Sequence, residues 1–197
     1  MWKYRYGKRE NPRRSNRKEG QIGLVISMFF LLMALVIGIY ILYLFSIVQV
    51  GSMVEDSLVA SGLACALVDV ETLGKTGEIR IESPKQCYDR FIFHLKENLK
   101  LDDEGNSSYP ALSMGPVTLL DFRIYNVQDT VVTEYVFDGN GNLLRQLDGS
   151  LGNMYTPDGK EIQSATVFAK IGFYVKGIHS SVVYGTKKQT VDIKENP

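Results

Sequence analysis

Five consecutive residues, Asp138-Gly139-Asn140-Gly141-Asn142, place oxygen-bearing side chains at alternate positions, which is how a calcium-binding loop begins. Such a loop also needs Gly at its sixth position and Glu at its twelfth, and those places hold Leu143 and Gly149. The segment fits a β-hairpin turn better, because Asp, Asn and Gly accept the positive backbone φ that tight turns demand. His94 and His179 are the two histidines, and neither has a nucleophile signature nearby. The acids Asp102-Asp103-Glu104 sit in a polar stretch and read as a solvated loop. Asn106-Ser107-Ser108 matches the N-glycosylation triplet, a pattern frequent by chance. A Gly-rich phosphate loop, Cys/His metal spacing and a Ser-centred elbow are all missing from the sequence. We therefore expect no catalytic residue, no cofactor and no metal site, and a protein that is not an enzyme.

Cys65 and Cys87 are the only cysteines. Two readings stay open for them: a disulfide, if both lie in an oxidising compartment, or two buried thiols acting as small apolar residues.

The elements that carry these residues are legible from periodicity. Ser83-Pro84 supplies a capping side chain and a Pro at the first helical position. Cys87, Phe91, Leu95 and Leu99 follow at helical spacing, so Cys87 belongs to the buried face. From Gln49 to Val70 the chain has no Pro, and Ser57–Val68 carries no charge, which predicts a helix buried on most sides and ended by Gly74 and Gly77. Asp102–Pro116 reads as a loop.

Beyond Val117 the period becomes two. Leu120, Phe122 and Ile124 alternate with Asp121, Arg123 and Tyr125, and Thr130–Phe137 is rich in β-branched and aromatic residues. The Asp138–Gly141 turn returns through Leu143–Leu147. After a second turn, Pro157-Asp158-Gly159, comes the longest alternating run: Ala165, Val167, Ala169, Ile171, Phe173 and Val175 face one way, and Thr166, Lys170, Tyr174 and Lys176 the other. His179–Tyr184 and Gln189–Ile193 complete an antiparallel sheet of about four to six strands, packed by one face on the helices. The expected class is α+β.

Charge divides the chain. Met1–Gly20 holds eight Lys/Arg against two acids, a balance of +6, and the other 177 residues hold 14 basic and 20 acidic, a balance of −6. The acidic part lacks the basic face that nucleic-acid binding needs. Between the two lies Gln21–Val54, uncharged throughout, whose Ile22–Val48 is long and apolar enough to cross a bilayer. It exceeds the h-region of a secretory signal peptide, and Gly62-Leu63-Ala64-Cys65 is out of order for a lipoprotein cleavage box. Lys/Arg beside one end of a span keep that end in the cytoplasm. The expectation is a single-pass protein of the cell membrane: a basic cytoplasmic leader over 1–20, a transmembrane helix over 21–50 and an extracytoplasmic α+β domain over 51–197, with one helix continuing from the membrane into the domain core. The polar residues of the span, Ser27, Tyr40, Tyr43, Ser46 and Gln49, include no ionisable acid or base that ion transport would use.

A basic leader ending Arg17-Lys18-Glu19-Gly20, an apolar helix over Gln21–Phe45, its continuation through Val54–Val68 and a small α+β head together resemble type IV pilin-like proteins. The layout of the first 70 residues is most similar to the TadE-like minor pilins and pseudopilins of tight-adherence pili and secretion systems. The resemblance implies cleavage between Gly20 and Gln21 by a membrane-embedded prepilin peptidase. It implies lateral packing of the mature helix with other pilin-like subunits or an assembly platform, and we take Leu24, Ile26, Phe30, Leu31 and Leu35 as the packing residues; these would equally suit lipid. Pilins usually place a Glu five residues after the cut. Here that position is Val25, or Met28 for a cut after Gly23, and no acid occurs from Gln21 to Val54. The chain is then a subunit processed without that Glu, an uncleaved pilin-like subunit, or an ordinary anchored protein of the same layout. The alternative function is a membrane-tethered binding or sensing domain that works alone.

Overall fold

Ser83 opens a helix as its sequence suggests. Its extended backbone (φ −130°) lets the side chain accept the Gln86 N–H at 3.4 Å, and Pro84 takes the first turn, where a missing donor costs nothing. This helix, α2, runs Pro84–Leu99 and ends where Lys100 turns left-handed (φ 50°), with the Lys100 and Leu101 N–H groups donating to Glu97 and Lys96 carbonyls. Ser107 Oγ donates to the Leu99 carbonyl at 2.6 Å, satisfying another of the terminal acceptors. The computed structural model in which these features occur describes residues 12–65, 74, 81–177 and 181–193, with side chains from residue 21 onward. His179 and the expected helical stretch over 66–70 lie outside the described residues, as do Val68 and Gly77.

The first helix, α1, spans Pro12–Cys65. It contributes to two units, Met1–Phe45 and Ser46–Pro197. In the first, α1 is long and apolar enough to cross a membrane, and its apolar side chains are exposed along the whole of it. The protein is α+β: this apolar helix, α2, and a five-stranded antiparallel sheet.

In the second unit the strands are β1 (Thr118–Gln128), β2 (Val131–Phe137), β3 (Leu143–Ser150), β4 (Thr166–Lys176) and β5 (Val182–Asp192), in the order β3-β2-β1-β4-β5. One face of the sheet presents Phe122, Ile124, Phe137, Val167, Ala169, Ile171, Phe173 and Val175 to Val50, Val54 and Leu58 of α1 and to Tyr88, Phe91, Leu95 and Leu99 of α2. Rings settle the centre of this core: Phe91 lies 4.7 Å from Phe122, and Tyr88 stacks on Phe137 at 5.4 Å, centroid to centroid. The opposite face has a smaller core of Tyr125, Val132, Phe168 and Ile162, closed by Val127 and Met154. A buried amide, Asn126, ties the chain before α2 to β1, accepting from the Ile81 N–H and donating to its carbonyl (2.9 and 3.0 Å).

Two expectations need correction. Leu120 does not join Phe122 and Ile124 inside; it is exposed, and Leu119 takes the core-facing place. A β-bulge between Leu119 and Asp121 shifts the register against β4, and one extra residue reverses which side chains face the helices. The two final strands are one, β5, paired with β4 from Thr166↔Asp192 to Lys176↔Val182. The described part of the uncharged stretch of α1 is covered over most of its surface, as expected: Ser57, Leu58, Ser61, Gly62 and Cys65 are buried and Val59 and Ala64 half-buried, whereas Ala60 and Leu63 face out. The inside positions recur at three and four residues, so a helix lying on a sheet explains them without a second covering layer.

α1 approaches β5 at a glycine. A Cβ on Gly62 would stand 2.8 Å from Val191 Cγ2, so only a missing side chain allows this contact. Further back, Glu55 meets Lys187 of β5 at 2.7 Å, which places one of the two acids that interrupt the apolar helix against a partner on the sheet.

Candidate functional site

Among the described residues no three His, Cys, Asp or Glu groups converge to hold a metal ion. The Asp138–Asn142 carboxylate is spent on the backbone. Its Oδ1 accepts the N–H groups of Asn140 (2.9 Å) and Asn142 (2.8 Å), its Oδ2 accepts from the Asn142 amide (2.9 Å), and Gly141 adopts φ 81°. These bonds hold the Asp138 carboxyl below the usual Asp range, the Asn142 side chain contributing most.

The same device recurs twice. In Asp102–Asn106, Asp102 Oδ1 accepts the N–H of Glu104 and of Asn106, and Gly105 has φ 85°. In Thr156–Lys160, Thr156 Oγ1 accepts the Lys160 N–H and Gly159 has φ 86°. In all three the first residue's N–H donates to the fifth carbonyl, and the glycine N–H donates to the first carbonyl. A side-chain oxygen at the first position and Gly at the fourth thus build one five-residue turn. The glycosylation triplet begins at the last residue of the second of these: Asn106 donates its amide to Asp102, and Ser107 is buried against the end of α2.

His94 lies on α2 with its Nδ1 3.8 Å from Glu97 on the same helix and its ring edge-on to Phe93. No nucleophile is among these contacts. The Lys96–Asp103 pair (3.1 Å) borders a concavity of about 420 Å³, lined by Ile92, Leu95, Leu101, Val117 and Leu119 among others, between α2, the loop after it and β1.

The ionised group that sequence reasoning missed is Glu134, on the sheet face away from the helices. It is almost fully buried, yet its carboxylate accepts from Arg123 (3.1 Å), from the Tyr125 hydroxyl (3.0 Å) and from Arg145. Burial opposes the charge, but the bonds from Arg123, Tyr125 and Arg145 outweigh it and keep the carboxyl below the usual Glu range. The Tyr125 hydroxyl is pushed above its ordinary value, first by burial and then by the Glu134 charge. Arg123 also bridges Asp121 at 2.9 Å. The cluster staples β1, β2 and β3 together. Its sequence signal was Arg123, Glu134 and Arg145 on three successive strands, but one-residue changes in pairing decide whether they meet.

Cys65 and Cys87, from α1 and α2, both point into the main core and are unbonded thiols in the structure. The Cys65 thiol donates to the Gly62 carbonyl at 3.1 Å. The influence of Cys65, and then burial, pushes the Cys87 thiol far above its ordinary value.

Of the residues expected on α1, Leu24, Ile26, Phe30, Leu31 and Leu35 are all at least half exposed, and Gln21 is exposed too. The Gly20–Gln21 bond lies within the helix. A Cβ on Gly23 or Gly38 would meet nothing within 4 Å.

No protein-family model, curated protein or solved structure matches the chain.

Proposed function

We propose that the chain is a single-pass membrane protein with its basic N-terminus in the cytoplasm and its Ser46–Pro197 unit outside. In this reading it serves as a pilin-like structural subunit of a bacterial pilus or secretion assembly. The observation that carries the membrane reading is the bare apolar surface of α1 from Ile22 to Phe45 beside eight Lys/Arg. Burying such a surface in lipid or against equivalent helices recovers about 25 cal/mol per Å². The bare apolar surface of α1 suits lateral packing against helices of like subunits. The function is mechanical: α1 anchors and packs, and the head presents surfaces to neighbours.

The test is the N-terminus and intact mass of the protein from its native membrane, joined to crosslinking. Processing at Gln21 together with crosslinks to pilin-like subunits is the expected result. An intact Met1 with no such crosslinks would overturn the subunit reading and leave a plain type II anchor. The concavity beside Lys96 and Asp103 favours a second reading, a tethered binding domain acting alone. That reading requires the head to bind a ligand as a monomer.

A further inference from the structure

The paired strands β4 and β5 outrun the rest of the sheet. β1 begins at Thr118, opposite Gly172 of β4, whereas β4 and β5 stay paired out to Lys176↔Val182. They therefore project past β1 by about 13 Å. Contacts with α1, all inside the Ser46–Pro197 unit, give the direction. Lys187 of β5 reaches the start of that part of α1, its Nζ 2.7 Å from Glu55 and its Cε 3.6 Å from where a Gly51 Cβ would stand. Val191, four residues on, lies against Gly62. β5 and α1 thus advance in the same direction. Going back from Lys187 to Val182 covers about 16 Å, and from Gly51 to Ser46 only about 8 Å, so the projecting end lies at the Ser46 end of the unit.

The chemistry of that end is apolar and free of acids. Val182, Val183 and Tyr184 are 48%, 41% and 50% exposed, and Lys176 is exposed beside them. The Tyr184 ring lies 5.1 Å from the Tyr174 ring, and its hydroxyl leans back over Gly172, where any Cβ would collide with it. The ring is therefore nearer the projecting end and the hydroxyl nearer the body of the sheet, the orientation of a tyrosine at a lipid–water boundary. No acid occurs from Gly172 to Lys188. The neighbouring loop, whose Ala111 carbonyl accepts the Lys176 N–H at 3.0 Å, is uncharged from Ser107 to Leu120. Hydrocarbon takes about 20 residues of helix, and Ile22–Val48 is longer, so its outer end lies among headgroups when it spans. Building on the membrane reading above, we infer that Val182, Val183 and Tyr184, with Tyr174 and Lys176, rest in the headgroup–acyl boundary of the leaflet nearest the head. They give the head a second hold on lipid beside α1.

Trp2 is the only tryptophan, so Trp2→Phe provides a dark background for the test. Val182→Trp, Tyr184→Trp, Phe30→Trp and Val131→Trp are then made singly. Val131 is 47% exposed and lies at the opposite end of the sheet, paired with Gln128. Tyr184→Trp exchanges one aromatic for another and carries the reading where Val182→Trp disturbs the strand pair. Each full-length variant is placed in phosphatidylcholine nanodiscs with plain or brominated acyl chains, and iodide probes from the water. Side chains held in the boundary should lose at least about half their emission to brominated lipid at 182 and 184, whereas Val131→Trp should respond to iodide alone. An unquenched Phe30→Trp would overturn the membrane reading and this inference with it. Quenching at 30 with none at 182 and 184, both open to iodide, would overturn this inference alone. Shielding of 182 and 184 from lipid and iodide alike would also overturn it, in favour of a second copy of the chain as the cover.

Discussion

Replacing Glu134 by Gln keeps its shape and removes its charge. The carboxylate now receives two guanidinium groups and one phenol. A Gln presents one acceptor and one NH₂, so at least one arginine faces a donor. Arg123 keeps Asp121 as a partner at 2.9 Å, which limits the damage there. The Arg145 side chain is 54% exposed and is rehydrated by water, so its share is under about 1 kcal/mol. The contact to the less exposed Arg123 is a charge-assisted bond of about 1.5–3 kcal/mol. Together these give a loss of about 2–4 kcal/mol near pH 7, to be read from urea unfolding of the full chain in detergent by tyrosine near-ultraviolet circular dichroism. The pH dependence adds a sign. A carboxyl held below its unfolded value contributes stability that is complete above about 4.5 and is lost as pH falls through the folded value. The gap between wild type and Glu134→Gln should therefore narrow between pH 6 and pH 3. A cost under about 0.5 kcal/mol at pH 7 would refute the argument. So would a gap unchanged at acid pH.

Gly62→Ala should destabilise the chain by about 1–2 kcal/mol in the same unfolding assay, although Ala is the better helix former, because its Cβ must displace the β-branched and buried Val191. Gly141→Ala combines a φ of 81° with a Cβ 2.6 Å from Tyr88 Cε1 and should cost about 2 kcal/mol or more; an unchanged midpoint would mean that the hairpin relaxes freely. Leu31→Arg puts a charge at the middle of the proposed span at about 2.5–3.5 kcal/mol, so the protein should be lost from carbonate-washed membranes; full retention would argue that α1 does not cross the bilayer there.

Local chemistry along the chain dictated most of the elements and their kind. Apolar residues at helical spacing after Ser83-Pro84 fixed α2, and the switch to alternation beyond Val117 fixed a sheet, because each follows from local backbone period and capping chemistry. Two of the three Asp/Thr-x-x-Gly turns were also legible as turns, since a side-chain oxygen and a glycine act within five residues. Register, and which side chains meet, came from packing. The bulge at Leu119/Asp121 exchanged Leu119 for Leu120 in the core, a change invisible to any count of alternating residues. Glu134 found Arg123 and Arg145 because β2 lies between β1 and β3, and Gly62 found Val191 because α1 lies close on β5. The Glu134 pairings join residues 11 positions apart on different strands, so they depend on how strands pack rather than on what any one segment prefers to be.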